Sequence, residues 1–255
     1  MPWIALTRAV SPTIADCEIS HIDRTPIDVA RAIRQHAQYE HTLSELGCDV
    51  RPVQPAPDHP DAVFIEDTAV VLDELAIITR PGAESRRGET AAVVTALQSL
   101  RPLAYIEAPG TVDGGDVLVV GPRIFVGRTE RTNDEGIAQL RDLTASLGYS
   151  VVPVAVRGCL HLKTAVTALD DHTVLHNPAW VDAEAFAPLQ AVAVPDDEPM
   201  AANVVRLDDT LVYAESYPRT LAMLRMRGYH VVTVPADELA KAEGAVTCCS
   251  LLLRA

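Results

Sequence analysis

The sequence predicts an α/β fold in which five strand–strand–helix–strand repeats form a ring closed by the N- and C-terminal strands. Two observations support this prediction: β-hairpin signals recur along the chain, and a helix pattern with a further strand follows each of them. An apolar fraction of 48% in 255 residues is sufficient for a sizeable core. The alternative from the pattern alone is an ordinary mixed α/β sandwich.

The predicted hairpins share one signature, two apolar and β-branched runs separated by a short polar or glycine-containing turn. They recur with a period of roughly 40–50 residues, which is typical of proteins built from structural repeats. The four internal hairpins pair Val63–Val71 with Leu75–Thr79, Asp116–Val120 with Ile124–Gly127, Lys163–Leu169 with Thr173–His176, and Asn203–Leu207 with Thr210–Glu215.

A helix and a further strand are predicted after each hairpin. Apolar residues spaced three and four apart, such as Ala92, Val93, Ala96 and Leu97, support the first of these helices. The four helix–strand pairs are Ser85–Leu100 with Leu103–Ile106, Asn133–Leu147 with Val151–Val156, a short Glu184–Pro188 with Ala191–Val194, and Tyr217–Arg227 with His230–Val234.

The two ends of the chain together predict a fifth repeat. Its hairpin pairs Ala245–Leu253 with Trp3–Val10, its helix spans Ile27–Leu46, and its last strand spans Asp49–Val53. A ring closed by its own termini removes the exposed edges that an open sheet would leave. We therefore expect residues 1–255 to form a single domain.

Charge and hydropathy restrict the function classes. With 21 basic and 35 acidic residues, the formal net charge of −14 argues against nucleic acid or anionic membranes as partners and is compatible with a cationic small molecule. No apolar run reaches the roughly 18 residues of a membrane span, and the N-terminus lacks a secretory signal pattern. The five cysteines lack the spacing of a disulfide framework, so reduced thiols and a cytoplasmic location are predicted.

Polar residues recur at one position of the repeat, near the start of the first strand of each hairpin. In chain order they are Glu66 and Asp67, Asp113 and Asp116, His161, Asn203 and Cys248. Taken singly, each has a structural explanation: a core cysteine, a hydrogen-bonded core histidine, a glycine–aspartate turn or a surface pair of acids. Because equivalent positions of a ring converge on its axis, their shared phase favours a common site.

These residue types fit a cysteine-based active site. A thiol needs a nearby base or cation to become a nucleophile near neutral pH, and a histidine serves as acid or base in that range. A carboxylate bound to the second ring nitrogen fixes the orientation of such a histidine. Paired carboxylates such as Glu66 and Asp67 suit a planar cation such as guanidinium in bidentate geometry.

Longer motifs resemble the dimethylarginine dimethylaminohydrolase family. The similarity keeps its order over nearly the whole chain, in F-I-E-D-T-A-V-V (Phe64–Val71), I-T-R-P-G-A-E-S-R-R-G-E (Ile78–Glu89), D-G-G-D-V-L (Asp113–Leu118), F-V-G-R-T-E-R-T-N (Phe125–Asn133), C-L-H-L-K-T (Cys159–Thr164) and E-G-A-V-T-C-C-S (Glu243–Ser250). The resemblance implies the five-bladed α/β propeller (pentein) fold, in agreement with the repeats, with residues 1–255 as a single catalytic α/β-propeller domain. It also implies hydrolysis of asymmetric dimethylarginine and monomethylarginine to citrulline and an alkylamine, through a covalent thiouronium intermediate.

The resemblance also implies roles for individual residues. Cys248 matches the nucleophile, His161 the general acid and base, and Asp113 the acid that orients the histidine. Glu66 and Asp67 match the acids that bind the guanidinium group, and Asp61 matches a further acidic contact. Arg86 and Arg131 match the arginines that hold the substrate α-carboxylate and neighbouring groups. No metal or organic cofactor is implied, and the only partner implied is the cationic substrate. The sequence leaves the oligomeric state open, with a homodimer as one option.

Two features of the motifs concern the cysteine pair and a predicted lid. Thr247 and Ser250 fix the register of T-C-C-S, which favours Cys248 as the nucleophile. Alternation along a strand would point Cys249 to the opposite face, where we expect it to pack in the core. By the resemblance, Ser11–Ser20 is a mobile lid, and it is the least family-like part of the chain.

Other activities remain open from the sequence. An arginine deiminase releases ammonia from unsubstituted arginine and usually has an inserted helical domain, for which 255 residues leave no room. An amidinotransferase, also typically longer, and a hydrolase of another alkylated or acylated arginine are further options. A non-catalytic propeller such as a ribosome anti-association factor has no need of Cys, His and Asp at equivalent positions of its repeats. A lone His21-x-Asp23 falls short of the two-metal ligand set of an arginase-like enzyme.

Overall fold

The computed structural model describes residues 2–255 and consists of five three-stranded sheets, or blades, arranged in a ring. The strands are β1 (Trp3–Thr7), β2 (Asp49–Pro52), β3 (Ala69–Val71), β4 (Ala76–Ile78), β5 (Leu103–Tyr105), β6 (Val117–Val120), β7 (Arg123–Arg128), β8 (Ser150–Ala155), β9 (Val166–Ala168), β10 (Thr173–His176), β11 (Gln190–Ala193), β12 (Val204–Leu207), β13 (Thr210–Ala214), β14 (His230–Val234) and β15 (Leu251–Arg254).

Six α-helices and several 3₁₀ turns connect these strands. The helices are α1 (Val29–Glu45), α2 (Thr90–Leu97), α3 (Asp134–Ala145), α4 (Leu162–Ala165), α5 (Pro218–Met226) and α6 (Asp237–Ala240). The 3₁₀ turns span Ile14–Asp16, Ile65–Thr68, Glu84–Glu89, Gly114–Asp116, Ala183–Phe186 and Thr247–Cys249. Within residues 2–255, no helix is both long and apolar enough to cross a membrane.

Every blade has the same topology, which confirms the predicted repeat. The first strand pairs antiparallel with the second, and the second pairs parallel with the third. Parallel pairing requires a crossover, which α1, α2, α3 and α5 provide in four blades. Blade 1 contains β3–β5, blade 2 β6–β8, blade 3 β9–β11, blade 4 β12–β14, and blade 5 β15, β1 and β2.

The two ends of the chain close the ring, as the sequence predicts. Strand β15 pairs antiparallel with β1, with Trp3 opposite Arg254 and Leu6 opposite Leu251. Buried apolar side chains form five clusters, each between two neighbouring sheets, so every blade shares its core with the next. An axial cavity of about 580 Å³ is lined by the first strand of all five blades. These observations exclude the sandwich alternative.

The first strands begin later than the sequence predicts, and this prediction is wrong at three places. Residues Val63–Thr68, Lys163–Ala165 and Ala245–Ser250 are not strand but precede β3, β9 and β15 as short turns. The turns close with an i→i+3 backbone hydrogen bond, from Asp67 to Phe64, from Asp116 to Asp113, from Thr164 to His161 and from Cys248 to Ala245. A strand would send consecutive side chains to opposite faces, whereas these turns gather polar side chains near the axis.

Neighbouring turns approach so closely that glycine is required where they meet. A Cβ atom added at Gly114, which precedes β6, would lie 2.0 Å from the backbone oxygen of Glu66, which precedes β3. Backbone atoms cannot move aside as a flexible side chain can. Gly114 therefore sets the distance between blades 1 and 2 at the axis.

We expect Gly114→Ala to lower the free energy of unfolding by about 3 kcal/mol, because overpacking at a rigid contact separates the two blades. For a chain of this size the melting temperature should fall by roughly 6–12 °C, measured by calorimetry. Gly88→Ala is the matched control, because its added Cβ would meet only the movable ring of His59, at 2.9 Å. Equal losses in both variants would contradict this account.

Candidate active site

The turns that precede the first strands surround a small cavity next to the axis. Six predicted site residues line it: Asp61, Asp67, Arg86, Arg131, His161 and Cys248. Its volume is about 20 Å³, which leaves room for about one water molecule. Asp113 lies behind His161, whereas Glu66 lines the axial cavity instead. The structure thus brings seven of the eight predicted residues together and places Glu66 on the other side of the nucleophile turn.

His161 lies between two buried carboxylates. Its Nε2 is 3.0 Å from Asp113 Oδ2, and its Nδ1 is 3.8 Å from Asp67 Oδ1. Burial disfavours the charged ring, but Asp67 and the hydrogen bond with Asp113 outweigh burial and raise the pKa of His161 to about 9. The ring is therefore an imidazolium at neutral pH. Asp113 is itself held in place, because its Oδ1 accepts a hydrogen bond from the backbone N–H of Gly82 at 2.9 Å.

Gly115 allows this close packing. A Cβ atom at this position would lie 2.6 Å from His161 Nδ1 and 2.8 Å from Asp67 Oδ1. Its backbone N–H instead donates a hydrogen bond to Asp67 Oδ1, at 2.9 Å. The D-G-G-D motif therefore contributes Asp113, which orients His161, and two glycines that let neighbouring groups pack closely. Its last residue, Asp116, is also buried, and its Oδ1 accepts a hydrogen bond from the backbone N–H of Leu162.

Arg86 is an internal partner of Asp67. Its Nη1 donates to Asp67 Oδ2, its Nε and Nη2 donate to Glu89, and its Nη2 also donates to the backbone oxygens of Asp61 and Phe64. Arg86 and His161 hold the pKa of Asp67 below its usual range against the opposing effect of burial. The guanidinium has one N–H left for another group. Glu89, which holds Arg86 in place, was not predicted from the sequence.

Arg131 differs from Arg86 in its contacts. It lines the cavity, and its guanidinium has no hydrogen bond or ion pair among residues 2–255. Asp61 lines the cavity nearby and accepts a hydrogen bond from the backbone N–H of Glu18, at 3.2 Å. Burial raises the pKa of Asp61 to about 6. An anion and a cation of one ligand can thus be bound by Arg131 and Asp61 respectively.

Glu66 is paired with a residue that sequence reasoning missed. Its Oε1 accepts a hydrogen bond from Lys163 Nζ at 2.5 Å, and its Oε2 accepts from the hydroxyl of Thr247 at 2.9 Å. Burial raises the pKa of Glu66, and Lys163 opposes this effect. The available signal was a single lysine within the otherwise apolar run that follows His161.

The cysteine pair lies in the 3₁₀ turn Thr247–Cys249, so the strand-alternation argument for Cys249 is wrong. The turn nevertheless separates the two thiols. Cys248 is half-buried and lines the cavity, whereas Cys249 is 1% exposed within the apolar cluster between blades 4 and 5. Burial, followed by Glu66 and Asp67, raises the pKa of the Cys248 thiol, so it is protonated at neutral pH.

The segment predicted as a lid lies over the cavity. Glu18 lines the cavity, and its Oε1 accepts a hydrogen bond from the hydroxyl of Ser85 at 2.8 Å. Glu243, in the nucleophile loop, accepts from the backbone N–H groups of Ser20 and His21 at 2.9 and 2.5 Å. A ligand of amino-acid size can enter only if this cover moves, so the lid stays a prediction that the closed cavity supports.

One group with metal-ligand chemistry is found within residues 2–255. Ligand atoms of Asp67, Asp113 and His161 lie within 4.8 Å of one another. Each is already used, because Asp113 and Asp67 flank the ring of His161 and Arg86 donates to Asp67. The three residues thus form an acid–histidine–acid arrangement.

The chain is similar in sequence to known proteins of one family. The model of the eukaryotic N,N-dimethylarginine dimethylhydrolase family matches residues 18–175. The N(G),N(G)-dimethylarginine dimethylaminohydrolase of Streptomyces coelicolor is 43% identical, covering 98% of this chain and 96% of that protein. The enzyme of the same name from Pseudomonas aeruginosa is 36% identical, covering 91% of each chain.

Solved structures agree with the sequence relatives. A Cys-to-Ser variant of the Pseudomonas aeruginosa enzyme in complex with citrulline superposes with a TM-score of 0.92 at 32% identity, covering 99% of this chain and 100% of that one. The amino-terminal domain of a cyanobacterial arginine dihydrolase, at 21% identity and a TM-score of 0.88, shares the fold. Sequence and structure together show that the chain belongs to the dimethylarginine dimethylaminohydrolase family.

Proposed function

We propose that this protein hydrolyses Nω-methylated arginine to citrulline and an alkylamine, with Cys248 as the nucleophile and His161 as the general acid and base. The observation that carries the proposal is the position of the His161 ring, held between Asp113 and Asp67 in the cavity that Cys248 lines. The names of the relatives and the citrulline complex of the Pseudomonas aeruginosa enzyme support the same activity.

Asp67 is the proposed anchor for the substrate guanidinium. Its Oδ1 faces both Gly115 and His161, and Arg86 fixes its other oxygen. Two unit charges about 4 Å apart gain roughly 4 kcal/mol at an effective dielectric near 20. A guanidine nitrogen bound at Oδ1 would lie next to His161 Nδ1, where a proton can be donated to it.

Arg131 is the proposed partner of the substrate α-carboxylate, because its guanidinium lines the cavity without an ion pair among residues 2–255. Arg86 can contribute only its one remaining N–H, since its other donors hold Asp67, Glu89 and two backbone oxygens. Asp61, which lines the same cavity, is the proposed ion-pair partner of the substrate ammonium group. Glu66 acts from behind the nucleophile turn, through its contact with Thr247.

The substrate supplies the positive charge that the Cys248 thiol needs. In the free protein, burial and the nearby acids Glu66 and Asp67 keep the thiol protonated by raising its pKa. A guanidinium bound next to the thiol lowers its pKa, since a cation favours the thiolate. Thiolate formation therefore accompanies substrate binding, with the thiol proton released to solvent, and the free protein holds no reactive thiolate.

The reaction then takes two steps. The Cys248 thiolate adds to the guanidinium carbon, His161 Nδ1 donates its proton to the departing alkylamine, and a covalent thiouronium remains. Neutral His161 next takes one proton from water, whose oxygen attacks the same carbon. As the C–S bond breaks, the second proton of that water passes from the new hydroxyl to the sulfur, which leaves as the Cys248 thiol. The products are citrulline and the alkylamine, and the proton acquired by His161 restores the imidazolium.

A substrate panel tests the proposed function. Asymmetric dimethylarginine, monomethylarginine, symmetric dimethylarginine and arginine are each incubated with the protein, and citrulline is measured. We expect turnover of asymmetric dimethylarginine and monomethylarginine, because the cavity binds a guanidinium while His161 protonates a substituted nitrogen. Turnover of arginine alone would overturn the named activity.

We expect Cys248→Ser to lower kcat by about 10⁴–10⁶-fold, because a hydroxyl is far harder to ionise than a thiol. Cys249→Ser is the matched control, one residue away in the core. It should keep kcat within a few-fold and lower the free energy of unfolding by roughly 1–3 kcal/mol, because it buries a hydroxyl. Steady-state kinetics and thermal unfolding measure both effects, and the reverse pattern would reassign the nucleophile.

We expect Asp113→Asn to lower the pKa of His161 from about 9, because one of the two flanking carboxylates loses its charge. NMR titration of labelled histidine measures the pKa, and kcat near pH 8 should fall by about 10²-fold as the acid is lost. The raised pKa stabilises the fold fully below about pH 6.5, and this contribution is lost as pH rises through about 9. The difference in melting temperature between parent and variant should therefore be larger at pH 6 than at pH 10.

Asp182→Asn provides the control for this titration, because Asp182 is an exposed aspartate paired with Arg157. It should leave the His161 titration unchanged. An unchanged pKa of His161 in Asp113→Asn would show that the contact with Asp113 does not set the charge of the ring.

A further inference from the structure

We infer that Asn203 is a positioning residue for the nucleophile, acting through a two-point contact with Thr247, the residue before Cys248. The inference rests on the proposed role of Cys248. Asn203 lies directly before β12, at the same repeat position as the other polar residues near the axis, and is 4% exposed. Its side chain does not line the cavity that contains Cys248.

The Asn203 amide holds Thr247 at two atoms. Its Oδ1 accepts a hydrogen bond from the backbone N–H of Thr247 at 3.1 Å, and its Nδ2 donates to the Thr247 hydroxyl at 2.9 Å. The second proton of Nδ2 is donated to the backbone oxygen of Lys163, at 3.0 Å. The amide cannot be reversed, because its NH₂ group would then face the N–H of Thr247.

These bonds close a ring of four residues from four blades. Asn203 contacts Thr247, Thr247 donates to Glu66, Lys163 donates to Glu66, and Asn203 donates to the backbone of Lys163. Thr247, Glu66 and Asn203 are buried, so each lost bond would leave a polar group without water. Movement of Thr247 would therefore break several buried contacts together.

The nucleophile turn is so short that the position of its first residue, Thr247, determines where Cys248 lies. The turn spans only Thr247–Cys249, and Cys248 is tied to Ala245 by its backbone N–H. A shift of Thr247 therefore moves the Cys248 thiol relative to His161 and Asp67. Because misplacement by about 1 Å can cost 10²-fold in rate, the contact with Asn203 controls the chemical step more than substrate affinity.

The test uses the intact protein and compares Asn203→Ala with Asn177→Ala. Asn177 is a matched control, since it is 5% exposed and bonded through both amide atoms, to the backbone of Pro199 and Ala179. It does not contact the nucleophile turn. Both variants are assayed for kcat and KM with asymmetric dimethylarginine, for melting temperature, and for the rate of Cys248 alkylation by iodoacetamide without substrate.

We expect Asn203→Ala to lower kcat by about 10²-fold with KM changed by less than about threefold. Alkylation of Cys248 should become about tenfold faster at pH 8, because a released turn lets the thiol leave the surroundings of Glu66 and Asp67 that keep it protonated. Asn177→Ala should lower the melting temperature similarly while leaving kcat and alkylation unchanged. A kcat for Asn203→Ala equal to that of Asn177→Ala would overturn the inference.

Two further variants apply if Asn203→Ala does not fold. Thr247→Val removes the hydroxyl that Asn203 and Glu66 share, and Thr247→Ser restores it. Faster alkylation and a lower kcat in the valine variant, reversed by serine, support the inference, and equal behaviour of the two contradicts it. If the parent turns over no methylated arginine, the proposed function fails, and the alkylation rates still decide the role of Asn203.

Discussion

The buried carboxylate of Asp67 is the group on which the rest of the site depends. It accepts hydrogen bonds from Arg86 and from the backbone of Gly115, and it lies 3.8 Å from His161. A buried carboxylate without partners would cost several kcal/mol, so the fold must bring these groups to it. Gly115 belongs to blade 2 and His161 to blade 3, and therefore three neighbouring blades must pack together to stabilise the charge. The contacts that stabilise the buried charge of Asp67 are therefore the same contacts that position His161.

The electrostatic balance near the axis follows from this arrangement. Five buried acids lie at the site, Asp61, Glu66, Asp67, Asp113 and Asp116, beside four potential cations, Arg86, Arg131, His161 and Lys163. Burial, with Glu66 and Asp67 in addition, raises the pKa of the Cys248 thiol, whereas Asp67 and Asp113 raise the pKa of His161 against the effect of burial. A bound guanidinium opposes the effect on the thiol, because it adds positive charge beside it. An acidic centre thus selects a cation and, by the same interaction, delays nucleophile formation until that cation has bound.

The shared repeat position of the polar residues predicted where the site lies, but it did not predict that short turns carry these residues. Equivalent positions in successive repeats identified Asp113, His161, Asn203 and Cys248 from the sequence, because a ring brings equal positions to its axis. Hydrophobic periodicity does not show where a short 3₁₀ turn ends and the following strand begins. In Ala245–Leu253, for example, apolar residues occur both in the turn and in the strand after it. The ion pair of Glu66 with Lys163 escaped prediction because these two residues meet only where turns of different blades pack together. The pair of Arg86 with Glu89 was also missed, although its residues lie three apart in the turn Glu84–Glu89.

The packing of the predicted lid limits which part of it can open. Ile14 and Cys17 are 0% and 1% exposed in the apolar cluster between blades 4 and 5, so lifting them would expose apolar surface at a cost of about 2–3 kcal/mol for the isoleucine alone. After Cys17 the contacts with the rest of the protein change character. Residues 18–21 are held mainly by polar contacts with Asp61, Ser85 and Glu243, and half-buried Ile19 packs against the same apolar cluster. Such polar contacts cost less to break than the buried packing of Ile14 and Cys17, so we expect the hinge of the predicted lid to lie after Cys17.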